Sequence, residues 1–157
     1  MKHTISVLVE NKFGVLARIA GLFSARGYNI ASLAVSETLD PAISYMTIVV
    51  EAQDVKIIEQ VKKQLNKLID VITVTDFTKK GHIDREMILA KISYSAKEKN
   101  KLEVIFHKFV GKIIHRKGNI AIIEAVGDQE QIRALLEELN KIGIKELVRT
   151  GRLAITE

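Results

Sequence analysis

The apolar positions of the chain change period in a regular order. Between Thr4 and Glu10, Ile5, Val7 and Val9 fall on alternate positions, the pattern of a strand with one buried face. Leu16, Ile19, Ala20 and Phe23 then recur at i, i+3, i+4 and i+7, which predicts an amphipathic helix ending near Gly27. Asn11-Lys12-Phe13-Gly14 links the two. Ala31 to Thr38 and Ile43 to Ala52 read as strands, and Leu39-Asp40-Pro41-Ala42 has the turn chemistry that makes them a hairpin. Asp54 is expected to cap a second helix carrying Ile57, Ile58, Val61, Leu65 and Leu68, and Val71 to Phe77 alternates again as a strand. The order is βαββαβ.

Lys79-Lys80-Gly81 interrupts the periodicity, and the same order then restarts. Glu86 to Tyr94 predicts a strand, and Leu102, Ile105, Phe106 and Phe109 mark a helix. Ile113 to Arg116 and Ile120 to Val126 form a hairpin turning at Lys117-Gly118-Asn119, and Asp128 caps a last helix. A shift of 74 residues superimposes Ile58 on Ile132, Val61 on Leu135, Leu65 on Leu139 and Leu68 on Ile142. The predicted fold class is therefore α+β, two tandem ferredoxin-like βαββαβ modules, with domains at 1–78 and 79–157. Modules of this size bury small cores, so docking or dimerisation is expected to support them. The topology leaves one sheet face without helices. Tyr45, Thr47 and Val49 alternate with Met46, Ile48 and Val50, so the third strand is largely apolar on both sides, and the free face is expected to pair with another subunit.

Composition narrows the function classes. Apolar residues make up 47% and charged residues 27%, a globular balance, and no apolar run approaches bilayer-spanning length. No membrane association is expected. Met1-Lys2-His3-Thr4-Ile5 lacks the order of a signal peptide, so a cytoplasmic location is expected. The absence of cysteine removes disulfides, thiolate nucleophiles and Cys-based metal sites. The net charge of +5 raises the question of nucleic acid, but it is evenly spread. Residues 1–80 carry ten Lys/Arg against eight Asp/Glu, and residues 81–157 carry fourteen against eleven. Lys112, His115, Arg116 and Lys117 form the densest basic cluster and read as a solvated strand or turn.

Catalytic signatures are missing. His3, His82, His107 and His115 show no metal spacing and read as surface or boundary residues, so no metal is expected. Ser24, Ser32, Ser36 and Ser44 sit in no nucleophile elbow, and there is no phosphate-cradling glycine loop. Glu10 and Glu51 are candidates to face each other across strands, as solvated strand-end carboxylates. RNA recognition would require stacking aromatics on the exposed strands, which instead read Ser6-Val7-Leu8-Val9 and Tyr45-Met46-Thr47-Ile48-Val49-Val50. No nucleic-acid partner is expected.

One feature fits a small ligand: the loop Glu10-Asn11-Lys12-Phe13-Gly14-Val15-Leu16. A helix beginning at Gly14 or Val15 points unpaired N–H groups and a positive dipole end into the loop, which suits a carboxylate. Gly14 permits close backbone approach. Asn11 has both donor and acceptor, so its amide is suited to an ammonium and a carboxylate together, favouring a zwitterion. Asn and Gly are also ordinary helix-start residues, and Asn29 in Arg26-Gly27-Tyr28-Asn29 is equally readable as a turn residue.

The segment from Asn11 to Ile30, with Gly21-Leu22-Phe23-Ser24-Ala25-Arg26-Gly27-Tyr28-Asn29-Ile30 followed by Ser32-Leu33, resembles the opening of the small regulatory subunits of acetolactate synthase. Ser44 with Met46-Thr47 fits the same family. His82-Ile83-Asp84-Arg85-Glu86-Met87-Ile88-Leu89 is similar to its junction between an N-terminal ACT domain and an ACT-like C-terminal domain. The resemblance implies a non-catalytic subunit that dimerises through its ACT domains, activates a large catalytic subunit and confers feedback inhibition by a branched-chain amino acid, typically valine. Thiamine diphosphate, magnesium and FAD would belong to that catalytic partner, with no cofactor in this chain. The family's effector site lies at the ACT dimer interface, and its polar contacts map onto Asn11, Gly14 and Asn29, beside Val15, Leu16, Ile30 and Val35. Ala17 stands where the family often has Ser, Ala34 where it often has Thr, and Phe13 where a smaller residue or Pro is usual. The corresponding loop of the second module, Ser93-Tyr94-Ser95-Ala96, lacks the Asn and Gly and is expected to carry no such site. The alternatives are an ACT-type sensor serving another enzyme or transcription, or an enzyme in its own right.

Overall fold

The computed structural model describes residues 2–52, 55–78 and 81–157. The chain divides into two compact units, one formed by Met1–Ile83 with Arg152–Glu157 and the other by Asp84–Gly151. The first contains β1 (Lys2–Glu10), α1 (Val15–Ser24), β2 (Asn29–Glu37), β3 (Ile43–Glu51), α2 (Val55–Leu65) and β4 (Val71–Asp76). Then follow β5 (His82–Ser93), α3 (Lys99–Lys108), β6 (Gly111–Lys117), β7 (Ile120–Gly127), α4 (Gln129–Ile142), β8 (Ile144–Arg149) and β9 (Leu153–Thr156). The first sheet has the order β2-β3-β1-β4 and the second β6-β7-β5-β8, with β9 pairing β5 off that path. The two orders are the same order repeated, as the restart of the periodicity predicts. Asp54 and Lys79-Lys80, read above as a cap and a linker, lie outside the described residues.

Period-two alternation builds the first core. Ile5, Val7 and Val9 are fully buried, and Ile48 and Met46 of β3 stand directly opposite Ile5 and Val7 on the same face. Ile58, Val61 and Leu65 of α2 join this core, while their repeat partners Ile132, Leu135 and Leu139 of α4 join the second. The buried stripe of α1 is Val15, Ile19, Leu22 and Phe23, not the predicted Leu16, Ile19, Ala20 and Phe23. The stripe begins one residue earlier, which seats the larger Leu22 inward and leaves Leu16 partly exposed.

Strand starts differ more. β1 begins at Lys2, so alternation carries His3 onto the buried face with Ile5. His3 is therefore a buried residue rather than a surface or boundary one: Nδ1 lies 3.2 Å from Thr78 Oγ1, and Nε2 is buried with no hydrogen-bond partner among the described residues. Glu10 and Glu51 do not face each other. Antiparallel pairing sets Glu10 opposite Ile43 and Glu51 opposite Lys2, at the two ends of the sheet. The basic cluster Lys112, His115, Arg116 and Lys117 is exposed on β6, an edge strand, and Lys112 pairs with Glu124 at 3.0 Å.

The helix-free face of the first sheet is met by the chain's own last residues. Arg152 Nη1 donates to Thr4 Oγ1 at 2.8 Å, and the Tyr45 hydroxyl donates to Ala154 O at 2.8 Å. Thr4, Ser6, Thr47, Val49 and Ala154 are all buried. This segment occupies part of the face that the sequence reading reserved for another subunit.

In the second unit Asp128 caps α4 through a capping box, accepting from Gln131 N while the Gln131 side chain accepts from Asp128 N. Asp128→Ala is expected to destabilise this unit by about 1 kcal/mol in chemical denaturation.

Candidate functional site

Asn11, Gly14, Val15 and Leu16 come together where β1 passes into α1. Gly14 is the N-cap of α1 with φ +81°, a left-handed conformation that favours glycine. No side chain caps the helix, and its first turn holds no acid. The start of α1 therefore keeps donor capacity and positive dipole character. Val15 contributes no side chain to this opening, because it is buried in the core and its N–H reaches Lys12 O at 3.3 Å. Leu16 is 44% exposed beside it.

Asn11 ties this loop to the β2–β3 turn. Its backbone N–H donates to Ala42 O at 2.7 Å, and its side-chain Nδ2 donates to Pro41 O at 2.9 Å and to Glu37 Oε1 at 3.2 Å. Both amide hydrogens are thus engaged, and Oδ1 accepts no hydrogen bond among the described residues. Asn11 is therefore suited to an ammonium, and a carboxylate in the same opening needs other donors. Of the two cations nearby, Lys12 is held by Glu10 at 2.7 Å, which raises the lysine pKa above its ordinary value through that hydrogen bond and charge. Arg18 donates to Asp70 Oδ2 from Nε at 2.9 Å and from Nη2 at 2.6 Å. The backbone carbonyl of the same Asp70 accepts from Glu10 N at 2.9 Å, so β1, α1 and the approach to β4 are joined at this corner.

Asn29 and Ile30 are elsewhere. β2 runs antiparallel to β3, and β3 antiparallel to β1, so β2 is parallel to β1 and begins at the end of the sheet remote from Asn11. Eight residue steps separate Asn29 from Glu37, about 26 Å at strand rise. Asn29 Nδ2 donates to Glu51 Oε2 at 3.2 Å, whereas Val35 lies two residues before Glu37, at the Asn11 end, and is 41% exposed. One protomer assembles Asn11, Gly14, Leu16 and Val35 at one end of the sheet and Asn29 with Ile30 at the other.

The family described as "AHAS small subunit-like ACT domain" matches residues 5–73, and that described as "Small subunit of acetolactate synthase" matches residues 85–157. The chain belongs to the acetolactate synthase small-subunit family. Over 155 residues it is 45% identical to the probable acetolactate synthase small subunit of Archaeoglobus fulgidus, covering 99% of this chain and 96% of that one. It is 44% identical to the acetolactate synthase small subunit of Aquifex aeolicus, covering 98% and 80%. Among solved structures, the acetolactate synthase small subunit from Thermotoga maritima superimposes with a TM-score of 0.89 at 36% identity, covering 100% of this chain and 98% of that one.

Within this family fold, the second module supplies an internal comparison. The loop after β5 leads into a single 3-10 turn, Ala96–Glu98, before α3, and Ser95 forms a capping box with Glu98. The Glu98 carboxylate accepts from Ser95 N at 2.7 Å and from Ser95 Oγ at 2.8 Å, and these bonds hold its pKa below the usual glutamate range. The second module thus places a carboxylate, bonded to Ser95, on the approach to α3, whereas α1 is entered directly from Gly14 with no acid in its first turn. The sequence reading missed Arg18, Glu37 and Asp70, because their roles depend on contacts across 26 and 52 positions. Among the described residues no three His, Asp or Glu side chains group as a metal site, and no helix is long and apolar enough to cross a membrane.

Proposed function

We propose that the chain is the regulatory subunit of acetolactate synthase in branched-chain amino acid biosynthesis. In this reading it activates a large catalytic subunit and, on binding valine or a related amino acid in its first module, inhibits it. The chain carries no chemistry itself; thiamine diphosphate, magnesium and FAD are assigned to the catalytic partner. The observation that carries this reading is the set of groups gathered at the start of α1 in a chain of this family. The open start of α1 offers donors to a carboxylate, Asn11 Oδ1 offers an acceptor to an ammonium, and Leu16 and Val35 offer apolar surface.

The separation of Asn29 from Asn11 is accounted for by a twofold. β2 is the outer strand of its sheet, with an unpaired edge. Two such edges pairing antiparallel across a twofold near Leu33 bring Asn29 of one protomer to the Glu37 end of its partner. Each site then combines Asn11, Gly14, Leu16 and Val35 of one chain with Asn29 and Ile30 of the other. Ligand bridging two chains favours the arrangement that holds both, and a coupling of about 1 to 3 kcal/mol suffices to regulate the partner enzyme.

Asn11→Ala and Asn29→Ala are each expected to weaken valine inhibition about tenfold while activation of the large subunit persists. Mixing the two variants provides the sharper test. A mixed pair holds one site with both defects and one with neither, so partial valine sensitivity returns. If the mixture is as insensitive as either variant alone, the residues do not share a site across the twofold.

A further inference from the structure

We infer that Arg18 supplies the charge that recognises the carboxylate of the amino-acid effector, and that Asp70 positions it for this. The inference rests on the amino-acid-site reading above and identifies the group within that site that selects for an anion. Both Arg18 bonds to Asp70 converge on one carboxylate oxygen through Nε and Nη2, which fixes the plane of the guanidinium. Nη1 makes no hydrogen bond among the described residues. It points towards Gly14, where a Cβ placed on the glycine would lie 3.3 Å away. The Arg18 side chain is half exposed, whereas that of Asp70 is 10% exposed, so one end of the guanidinium is anchored in the protein and the other faces the loop.

The neighbouring groups leave this role to Arg18. Lys12 and Arg18 are both paired with a carboxylate, but it is Arg18 that keeps Nη1 beside Gly14, and the amide hydrogens of Asn11 are engaged by Pro41 and Glu37. A carboxylate at the start of α1 meets the open first-turn N–H groups on one side and Arg18 Nη1 on the other. Glycine at position 14 serves this twice, by accepting a positive φ and by leaving the guanidinium room to lie over the loop. If Arg18 only latched α1 to the approach to β4, the ion pair would stabilise the module without distinguishing one ligand from another.

The test compares valine with valinamide, which keeps the side chain and ammonium but replaces the carboxylate with a neutral amide. Binding to the full-length chain is measured by calorimetry for the unmodified protein, for Arg18→Gln, and for Arg18→Gln combined with Asp70→Asn. The double variant removes both charges together, so no buried carboxylate is left unpaired. The unmodified chain should prefer valine over valinamide. Both variants should lose at least about tenfold in valine affinity and change valinamide affinity by less than about twofold. Equal losses for the two ligands, or an unchanged preference for valine, would overturn the role of Arg18 while leaving the amino-acid site standing. Failure of the unmodified chain to bind valine would overturn the site itself, and this inference with it.

Discussion

Replacing Gly14 with aspartate is expected to abolish valine inhibition over the range where the unmodified subunit responds, while the large subunit remains activated. Two effects act in the same direction. The φ of +81° disfavours any side chain, at a cost of about 1 kcal/mol in the stability of the module. The larger effect is electrostatic. An aspartate Cβ at this position starts 3.3 Å from Arg18 Nη1, so its carboxylate reaches the guanidinium and the open N–H groups of α1 without help from solvent. The substitution thus installs an internal carboxylate at a helix start whose first turn otherwise holds none. Gly14→Ala separates the two contributions: it keeps the backbone strain, adds no charge, and should reduce valine sensitivity less. Titrating inhibition in both variants checks this, and equal losses would mean that strain rather than carboxylate competition dominates.

Deleting residues 152–157 is expected to lower the stability of the first module by about 3 kcal/mol, although most of that module lies at the other end of the chain. The loss includes the Arg152–Thr4 and Tyr45–Ala154 hydrogen bonds, the pairing of β9 with β5 and the cover over Ala154's neighbours on the sheet. Thr4, Ser6 and Thr47 are buried polar side chains, and exposing this face also opens Val49 to water. Tyr45→Phe, which removes one bond and leaves the strand in place, should cost about 1 kcal/mol. Thermal or urea unfolding followed by a probe in residues 2–52 measures both. A deletion that leaves the first module's transition unmoved would mean that the terminal strand lies on the face without supporting it.

These two predictions differ in how far they were legible in the amino-acid sequence. The start of α1 was visible because Asn11, Gly14 and the following helical stripe are neighbours in the chain, and a local pattern carries local geometry. The repeated βαββαβ order was visible for the same reason, and the shared burial of Ile58 with Ile132, Val61 with Leu135 and Leu65 with Leu139 follows from it. The phase of α1 was misread by one residue: Leu16 with Ala20 and Val15 with Leu22 give overlapping stripes, and packing against the sheet selects the bulkier pair. The C-terminal strand had no local signal, because four residues of mixed polarity acquire meaning only from Thr4 and Tyr45, 148 and 109 positions away. Topology also separated residues that sequence reasoning had grouped. Asn11 and Asn29 are strand-end residues of parallel β1 and β2, so one follows the end of its strand and the other begins its own. The shared role proposed for them therefore calls for a second copy of the chain.

The most direct test of regulation by this chain is an assay of acetolactate formation by the large subunit from the same organism. It is measured alone, with this chain added, and with this chain plus valine. The account predicts low activity alone, higher activity on adding the chain, and a return towards the lower level with valine that Gly14→Asp prevents. Activity that neither rises with the chain nor falls with valine would contradict it.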